Sequence, residues 1–167
     1  MRAPRVWAIV LGMGLSTGLI SAAGLTDAPR AAAQDYGKKH LYSETADPRA
    51  DIAAGLKKAK AEHKRVILDF GGDWCGDCQV LDIYFHDPAN LPVLDKNFVI
   101  VHVWIGHMDK NIDLAAQYGV PIGKGVPALA VLDANGKVLH SQKTGEFNDM
   151  RHMDVSSVSE FLKRWKA

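Results

Sequence analysis

Two cysteines in 167 residues are too few for a disulfide-framework miniprotein, and too few for a four-cysteine zinc site within one chain. Charge of one sign is lacking as well. The 20 Lys+Arg and 19 Asp+Glu leave a net +1, so no basic field is offered to nucleic acid or to a membrane surface. There is no Gly-rich phosphate loop, which removes the usual sign of a bound nucleotide. No internal repeat occurs, and no low-complexity tract beyond an alanine-rich N-terminus. What is there is 47% hydrophobic, 23% charged and 8% aromatic, the composition of an ordinary globular domain rather than a disordered, collagen-like or multispan membrane chain. The length suits one domain, and one of this scale buries roughly two-thirds of its unfolded surface and needs no staples.

Residues 1–33 read as an address. Arg2 and Arg5 open the chain, an uncharged stretch runs from Val6 to Thr26, and Ala31-Ala32-Ala33 precedes Gln34. A basic start, an apolar centre and an Ala-x-Ala site describe a secretory signal peptide. Cleavage is expected after Ala33, with Ser21-Ala22-Ala23 as a second site. An uncleaved anchor is the competing reading, because about 20 apolar residues span a bilayer. Gly12, Gly14, Ser16, Thr17 and Gly18 leave this stretch only moderately hydrophobic. Both readings put the domain outside the cytoplasm, in the periplasm of a bacterial envelope, where disulfides persist. Removing residues 1–33 from 167 leaves 134, and losing Arg2, Arg5, Arg30 and Asp27 takes the net charge from +1 to −1.

Residues 34–46 are polar without a clear period and read as a linker with at most one edge strand; residues 47–167 read as the folded domain. Asp47-Pro48 has the form of a helix start, a capping acid before a first-turn proline. Ile52, Leu56 and Ala59 then share one helical face, with Lys57, Lys58 and Lys60 on a solvated one. Val66 to Phe70 is a buried strand, ended by Gly71-Gly72. Cys75 to Phe85 has helical character, Phe98 to Trp104 is a second strand, and Ile112 to Tyr118 is a short helix closed by Gly119. Ala128–Leu132 and Val138–His140 flank an Asn-Gly turn and predict a hairpin. Val158, Phe161, Leu162 and Trp165 line one face of a closing helix, with Ser157 and Glu160 as its capping box. Alternation followed by an antiparallel hairpin predicts an α/β domain, a mixed central sheet with helices on both faces.

The chemistry concentrates at one strand-to-helix junction, Trp74-Cys75-Gly76-Asp77-Cys78. Unpaired N–H groups and the dipole of a first helical turn stabilise an anion there, and a thiolate is the attacking species in disulfide exchange. Two intervening residues coiled as a turn bring Cys78 within reach to resolve a mixed disulfide. A pair this close cross-links almost no chain, so its worth as a staple is small. Half of an intermolecular metal site and a local structural disulfide are the competing readings. Zinc would need two more ligands, and His40, His63, His86, His102, His107, His140 and His152 lack the spacing to supply them. His102 and His107 read as ordinary strand or loop residues.

Val66-Ile67-Leu68-Asp69-Phe70, Trp74-Cys75-Gly76-Asp77-Cys78, Gly125-Val126-Pro127 and Asn135-Gly136-Lys137-Val138, in that order and spacing, resemble the thioredoxin family. The likeness runs from about Arg65 to Gly145, and the flanking helices extend it. The resemblance implies the thioredoxin fold, with Cys75 as nucleophile and Cys78 as buried resolving thiol, the two forming the redox-active disulfide. Trp74 would shield the site, and Trp74, Gly76, Asp77, Val126 and Pro127 would meet the partner protein. The resemblance also implies a cis Val126-Pro127 bond facing the cysteines; without it, a trans strand-entry proline is the plainer reading. Asp69 inside Val-Ile-Leu-x-Phe is costly if buried and charged. The resemblance makes it the acid that helps deprotonate Cys78, against the alternative of a solvent-facing strand residue.

Four departures from the family pattern stand out. Asp77 replaces the usual proline before the second cysteine; an anion about 6 to 8 Å away would disfavour the Cys75 thiolate by roughly 1 to 3 kcal/mol, while loss of the proline favours a more oxidising couple. No lysine lies in Val103-Trp104-Ile105-Gly106-His107, where the family's partner for the buried acid belongs. Pro121-Ile122-Gly123-Lys124 is an addition bordering the active face. Ala128 replaces the threonine common after the proline. The function expected is thiol–disulfide exchange on exported proteins, as a reductase, by a monomer with no cofactor and no metal. Its partners would be protein disulfide clients and a membrane-embedded thiol reductant as electron donor. An oxidase or isomerase, and a binding module with little catalysis, are the alternatives.

Overall fold

The computed structural model describes residues 38–167, so the expected signal segment and the first part of the expected linker lie outside the described residues. Helix α1 (Pro48–Glu62) starts as its sequence directs, with the Asp47 carboxylate accepting from the Arg49 N–H and Pro48 in the first turn. It ends at His63 in the left-handed region. Strand β1 (Arg65–Gly71) follows and is buried from Val66 onward. Helices α2 (Gly76–Phe85) and α3 (Leu91–Asn97) lead to β2 (Phe98–Trp104). Helix α4 (Ile112–Gln117) and a 3-10 turn at Ile122–Lys124 precede β3 (Ala128–Leu132) and β4 (Val138–Ser141). A second 3-10 turn (Met150–His152) leads into α5 (Val155–Trp165).

The four strands form one mixed sheet in the order β2-β1-β3-β4. β1 runs parallel to β2, in a register that sets Asp69 opposite His102, and antiparallel to β3. Alternate residues of β1 feed two cores. Val66, Leu68 and Phe70 pack with Ile52 and Ala59 of α1 and Leu114 of α4. Ile67 packs with Leu81 and Phe85 of α2, Leu94 of α3 and Val158, Phe161 and Leu162 of α5. Each of the larger of these side chains (Val, Leu, Ile and Phe) contributes roughly 1.5–3 kcal/mol when fully buried. The architecture is the predicted one: a mixed sheet with helices on both faces. The β3–β4 turn is held by Asp133, whose Oδ1 accepts from the Asn135 and Lys137 N–H groups at 2.9 Å each.

The structure changes the sequence reading in three places. Helix α3 lies where no element was predicted. The closing helix starts before its predicted box: Asp154 occupies the cap position, and the Ser157 hydroxyl turns back to donate to the Asp154 carbonyl at 2.6 Å. Residues 38–46 form no strand and are pinned to the domain rather than loose. Asp73 Oδ1 accepts from the Leu41 and Tyr42 N–H groups at 2.8 and 3.1 Å, Lys39 pairs with Asp82 at 2.8 Å, and Tyr42 is buried.

Candidate functional site

Gly71-Gly72-Asp73-Trp74 carries the chain off the sheet, and the Cys75 N–H donates to the Gly72 carbonyl at 2.9 Å. Cys75 is thereby the N-cap of α2, with extended backbone, and the Cys78 N–H donates to its sulfur at 3.1 Å. This is the placement that favours a thiolate once the disulfide opens. Cys75 and Cys78 are joined by a disulfide across 5.2 Å between Cα atoms. Cys75 lies at the rim, 6% exposed, and Cys78 is fully buried. An incoming group therefore meets Cys75 before Cys78.

The Val126-Pro127 bond is cis, as the resemblance implied, and the Val126 carbonyl oxygen lies 3.6 Å from Cys75 Sγ. Gln142, fully buried, holds this segment: its Nε2 donates to the Pro127 carbonyl at 3.2 Å and its Oε1 accepts from the Leu129 N–H at 3.1 Å. Trp74 is 41% exposed beside the disulfide, with its indole N–H bonded to the Gly106 carbonyl at 2.6 Å and its ring stacked on His107 at 5.4 Å. It is thus a rigid apolar face next to the sulfur pair. His107, read from the sequence as an ordinary loop residue, helps hold that face. The added 3-10 turn buries Ile122, and the Lys124 carbonyl accepts from the Asn148 side chain at 2.9 Å.

Asp77 points inward rather than standing free. Arg151, from the 3-10 turn before α5, donates to Asp77 Oδ1 through its backbone N–H at 3.0 Å and its Nε at 3.1 Å, and to Oδ2 through its guanidinium at 3.1 Å. The carboxylate expected to repel the Cys75 thiolate is thus matched by a cation, whose charge opposes the repulsion inferred from the sequence. Donating these hydrogen bonds to Asp77 also holds the already charged Arg151 guanidinium more firmly protonated. Nothing in the sequence near Cys75 announced Arg151, which lies 74 residues away.

Asp69 is buried, 1% exposed. Its Oδ2 accepts from the Tyr42 hydroxyl at 2.7 Å and faces His102 Nδ1 at 2.9 Å, while no described group bonds its Oδ1. Burial, with the charge and hydrogen bond of Asp69, pushes the Tyr42 hydroxyl well above its usual value, so it remains a donor. Burial alone would lower the His102 imidazole; the Asp69 hydrogen bond and charge outweigh it, and the net shift is upward. The partners of the buried acid here are a histidine from β2 and a tyrosine from the N-terminal segment. The sequence reading passed over both. The parallel β1–β2 register, which sets His102 beside Asp69, is the signal that identifies the histidine. Tyr42 had no local signal, since its contact spans 27 residues.

Gly71 brings these groups to the sulfur. A Cβ on Gly71 would lie 2.6 Å from the Tyr42 hydroxyl and 2.8 Å from Cys78 Sγ. The hydroxyl and the sulfur are therefore at most 5.4 Å apart, the sum of those two distances. Glycine here keeps that space open. Among the described residues no group of three or more His, Cys, Asp or Glu could hold a metal ion.

Comparison with known proteins gives concordant relatives. A disulphide isomerase from Xylella fastidiosa has a similar structure, TM-score 0.71 at 33% identity, over 75% of this chain and 96% of that one. The oxidised C-terminal domain of DsbD from Neisseria meningitidis shares the fold, TM-score 0.50 at 22% identity, over 72% and 97%. In sequence, the thiol:disulfide interchange protein DsbD of Pseudomonas fluorescens is 28% identical over 129 residues, 75% of this chain but 20% of that protein. Anterior gradient protein 2-B of Xenopus laevis is 33% identical over 100 residues, 59% of this chain and 61% of that protein. The chain thus spans less than two-thirds of either curated relative. Residues 47–134, more than half of the chain, match the thioredoxin-like family. With the exchangeable pair seated at the strand-to-helix junction inside that match, the chain belongs to the thioredoxin-like family and is a thiol–disulfide oxidoreductase.

Proposed function

We propose that this oxidoreductase reduces disulfides of exported proteins, with residues 1–33 as the export signal and residues 47–167 as the working domain. Cys75 attacks a client disulfide and forms a mixed disulfide; Cys78 then attacks Cys75 Sγ, releases the client thiolate and leaves the Cys75–Cys78 disulfide. Trp74, Gly76, Val126 and Pro127 form the face presented to the client, and Asp77, expected on that face, is turned inward onto Arg151. The oxidised pair is returned to dithiol by a membrane-embedded thiol reductant, a partner supported by the sequence likeness to the thiol:disulfide interchange protein DsbD.

The observation that supports the direction is the buried Asp69 carboxylate, two residues along β1 from Gly71, against which Cys78 Sγ lies. A base beside the resolving thiol hastens its attack and shortens the life of the mixed disulfide. Prompt release of a reduced client is what a reductase needs, whereas an isomerase profits from a lingering intermediate. The Xylella fastidiosa likeness favours a second reading, isomerase or oxidase of protein disulfides.

The test is covalent trapping in periplasmic extract. Cys78→Ser should accumulate mixed disulfides with exported proteins and Cys75→Ser should give none. Equal trapping by both variants, or by neither, contradicts these roles.

A further inference from the structure

Asp69 is held by one oxygen only. Tyr42 and His102 both occupy Oδ2, and Oδ1 is buried with no hydrogen-bond partner among the described residues. An acceptor left bare in the interior costs free energy in the disulfide state, and such a group points to a use in another state. In the disulfide state Cys78 has no proton to give. In the dithiol it has one, and its sulfur lies against Gly71, two residues along the same face of β1 from Asp69.

His102 also reaches water. Its side chain is 21% exposed and lines a groove of about 370 Å³ beside Leu41, Asp51, Lys58 and Val101. An imidazole whose Nδ1 faces a carboxylate carries its proton on Nδ1, which leaves Nε2 as the atom that gains or loses a proton. The charged and titratable groups around it are Asp69 of β1, Tyr42 edge-on at 5.1 Å, and Asp51 and Lys58 of α1 along the groove. Asp73 and Asp82 add negative potential from further off.

We propose that Tyr42 and His102 are positioning residues for Cys78: they fix Asp69 by Oδ2, reserve Oδ1 for the thiol proton, and make resolution depend on the charge of His102. This rests on the exchange reading above. As Cys78 attacks Cys75 Sγ, its S–H proton passes to Asp69, the new Cys75–Cys78 bond forms, and the bond from Cys75 to the client sulfur breaks with its electron pair leaving as thiolate. A charged His102 holds Asp69 as the anion and makes it a poorer acceptor. A neutral His102 leaves it a better one, so resolution is slow in acid and speeds up as His102 loses its Nε2 proton.

The test follows reduced full-length protein mixed with insulin, quenched at intervals, with the mixed disulfide quantified as it forms and decays. In the wild type the decay rate should rise about tenfold between about pH 5.5 and 8, over the raised histidine range. In His102→Gln that limb should be gone, decay varying less than about twofold, while formation rates match the wild type. Tyr42→Phe should keep the limb and slow decay at every pH. Circular dichroism identifies any variant that fails to fold, and His102→Asn then replaces His102→Gln. A limb retained in the folded histidine variant overturns the proposal while leaving the exchange reading intact. Failure of the wild type to form any mixed disulfide overturns both.

Discussion

Two carboxylates flank the sulfur pair, and they are handled in opposite ways. Asp77, in the first turn of α2, is matched by Arg151, a cation that keeps its charge at any physiological pH. Asp69, in the middle strand, is matched by a tyrosine hydroxyl and a histidine, one neutral and the other titratable. The first arrangement removes a charge from the chemistry near Cys75. The second, in the proposal above, keeps a proton acceptor for Cys78 and ties it to the proton concentration outside. Similar burial, 8% and 1% exposed, therefore gives two functions that depend on the partner rather than on the acid.

Breaking the contrast at Asp69 should have the largest effect. Asp69→Asn leaves the Tyr42 contact available but removes the proton acceptor, so mixed-disulfide decay should slow by about 100-fold, read in the quenched insulin assay. Formation of the intermediate should be almost unchanged. A smaller effect is expected at the other carboxylate. Arg151→Gln frees the Asp77 charge to oppose the Cys75 thiolate, so attack on insulin at pH 7 should slow about three- to tenfold. Decay should be spared in that variant, the reverse of Asp69→Asn. If both variants slowed the same step, the division of labour would be wrong.

The smallest effect concerns stability. His102 is raised in the folded state, so its contribution is complete below the unfolded histidine value, near 6.5, and is lost as pH rises through the folded value. Melting of the oxidised protein should therefore fall by roughly 1 to 4 °C more in the wild type than in His102→Gln as pH climbs across that window. An equal slope in both proteins contradicts the coupling.

The elements with strong periodicity or punctuation were legible: Asp47-Pro48 fixed the start of α1, the β-branched and apolar runs marked β1 and β2, and Asn135-Gly136 marked the turn between β3 and β4. Helix α3 was hidden because Asn90 makes no side-chain cap bond and its apolar residues span only two turns, with Pro92 among them. The closing helix was placed late because Ser157 and Glu160 mimic a capping box although the Ser157 hydroxyl bonds backward. Within the site, the cysteines and Asp69 were readable because they sit in local patterns, while the cis proline followed only from the family resemblance, since Pro127 by itself suits a trans strand entry. Tyr42, His102 and Arg151 were not, because each acts on a residue 27 to 74 positions away, across the sheet or from a loop. Charge balance at a buried site is a property of the fold, and a motif shows only half of it.

The central claim, reduction rather than oxidation, rests on Asp69 for resolution and also on how strongly the Cys75 thiolate is favoured. Its stabilisation comes from the α2 N-terminus and the Cys78 N–H, while the nearby Arg151 is committed to Asp77. The decisive measurement is the reduction potential of the Cys75–Cys78 pair by equilibration with a thiol buffer. A value close to the approximate −270 mV of thioredoxin is predicted, and one at or above about −180 mV, in the range of disulfide isomerases and oxidants, would contradict the account.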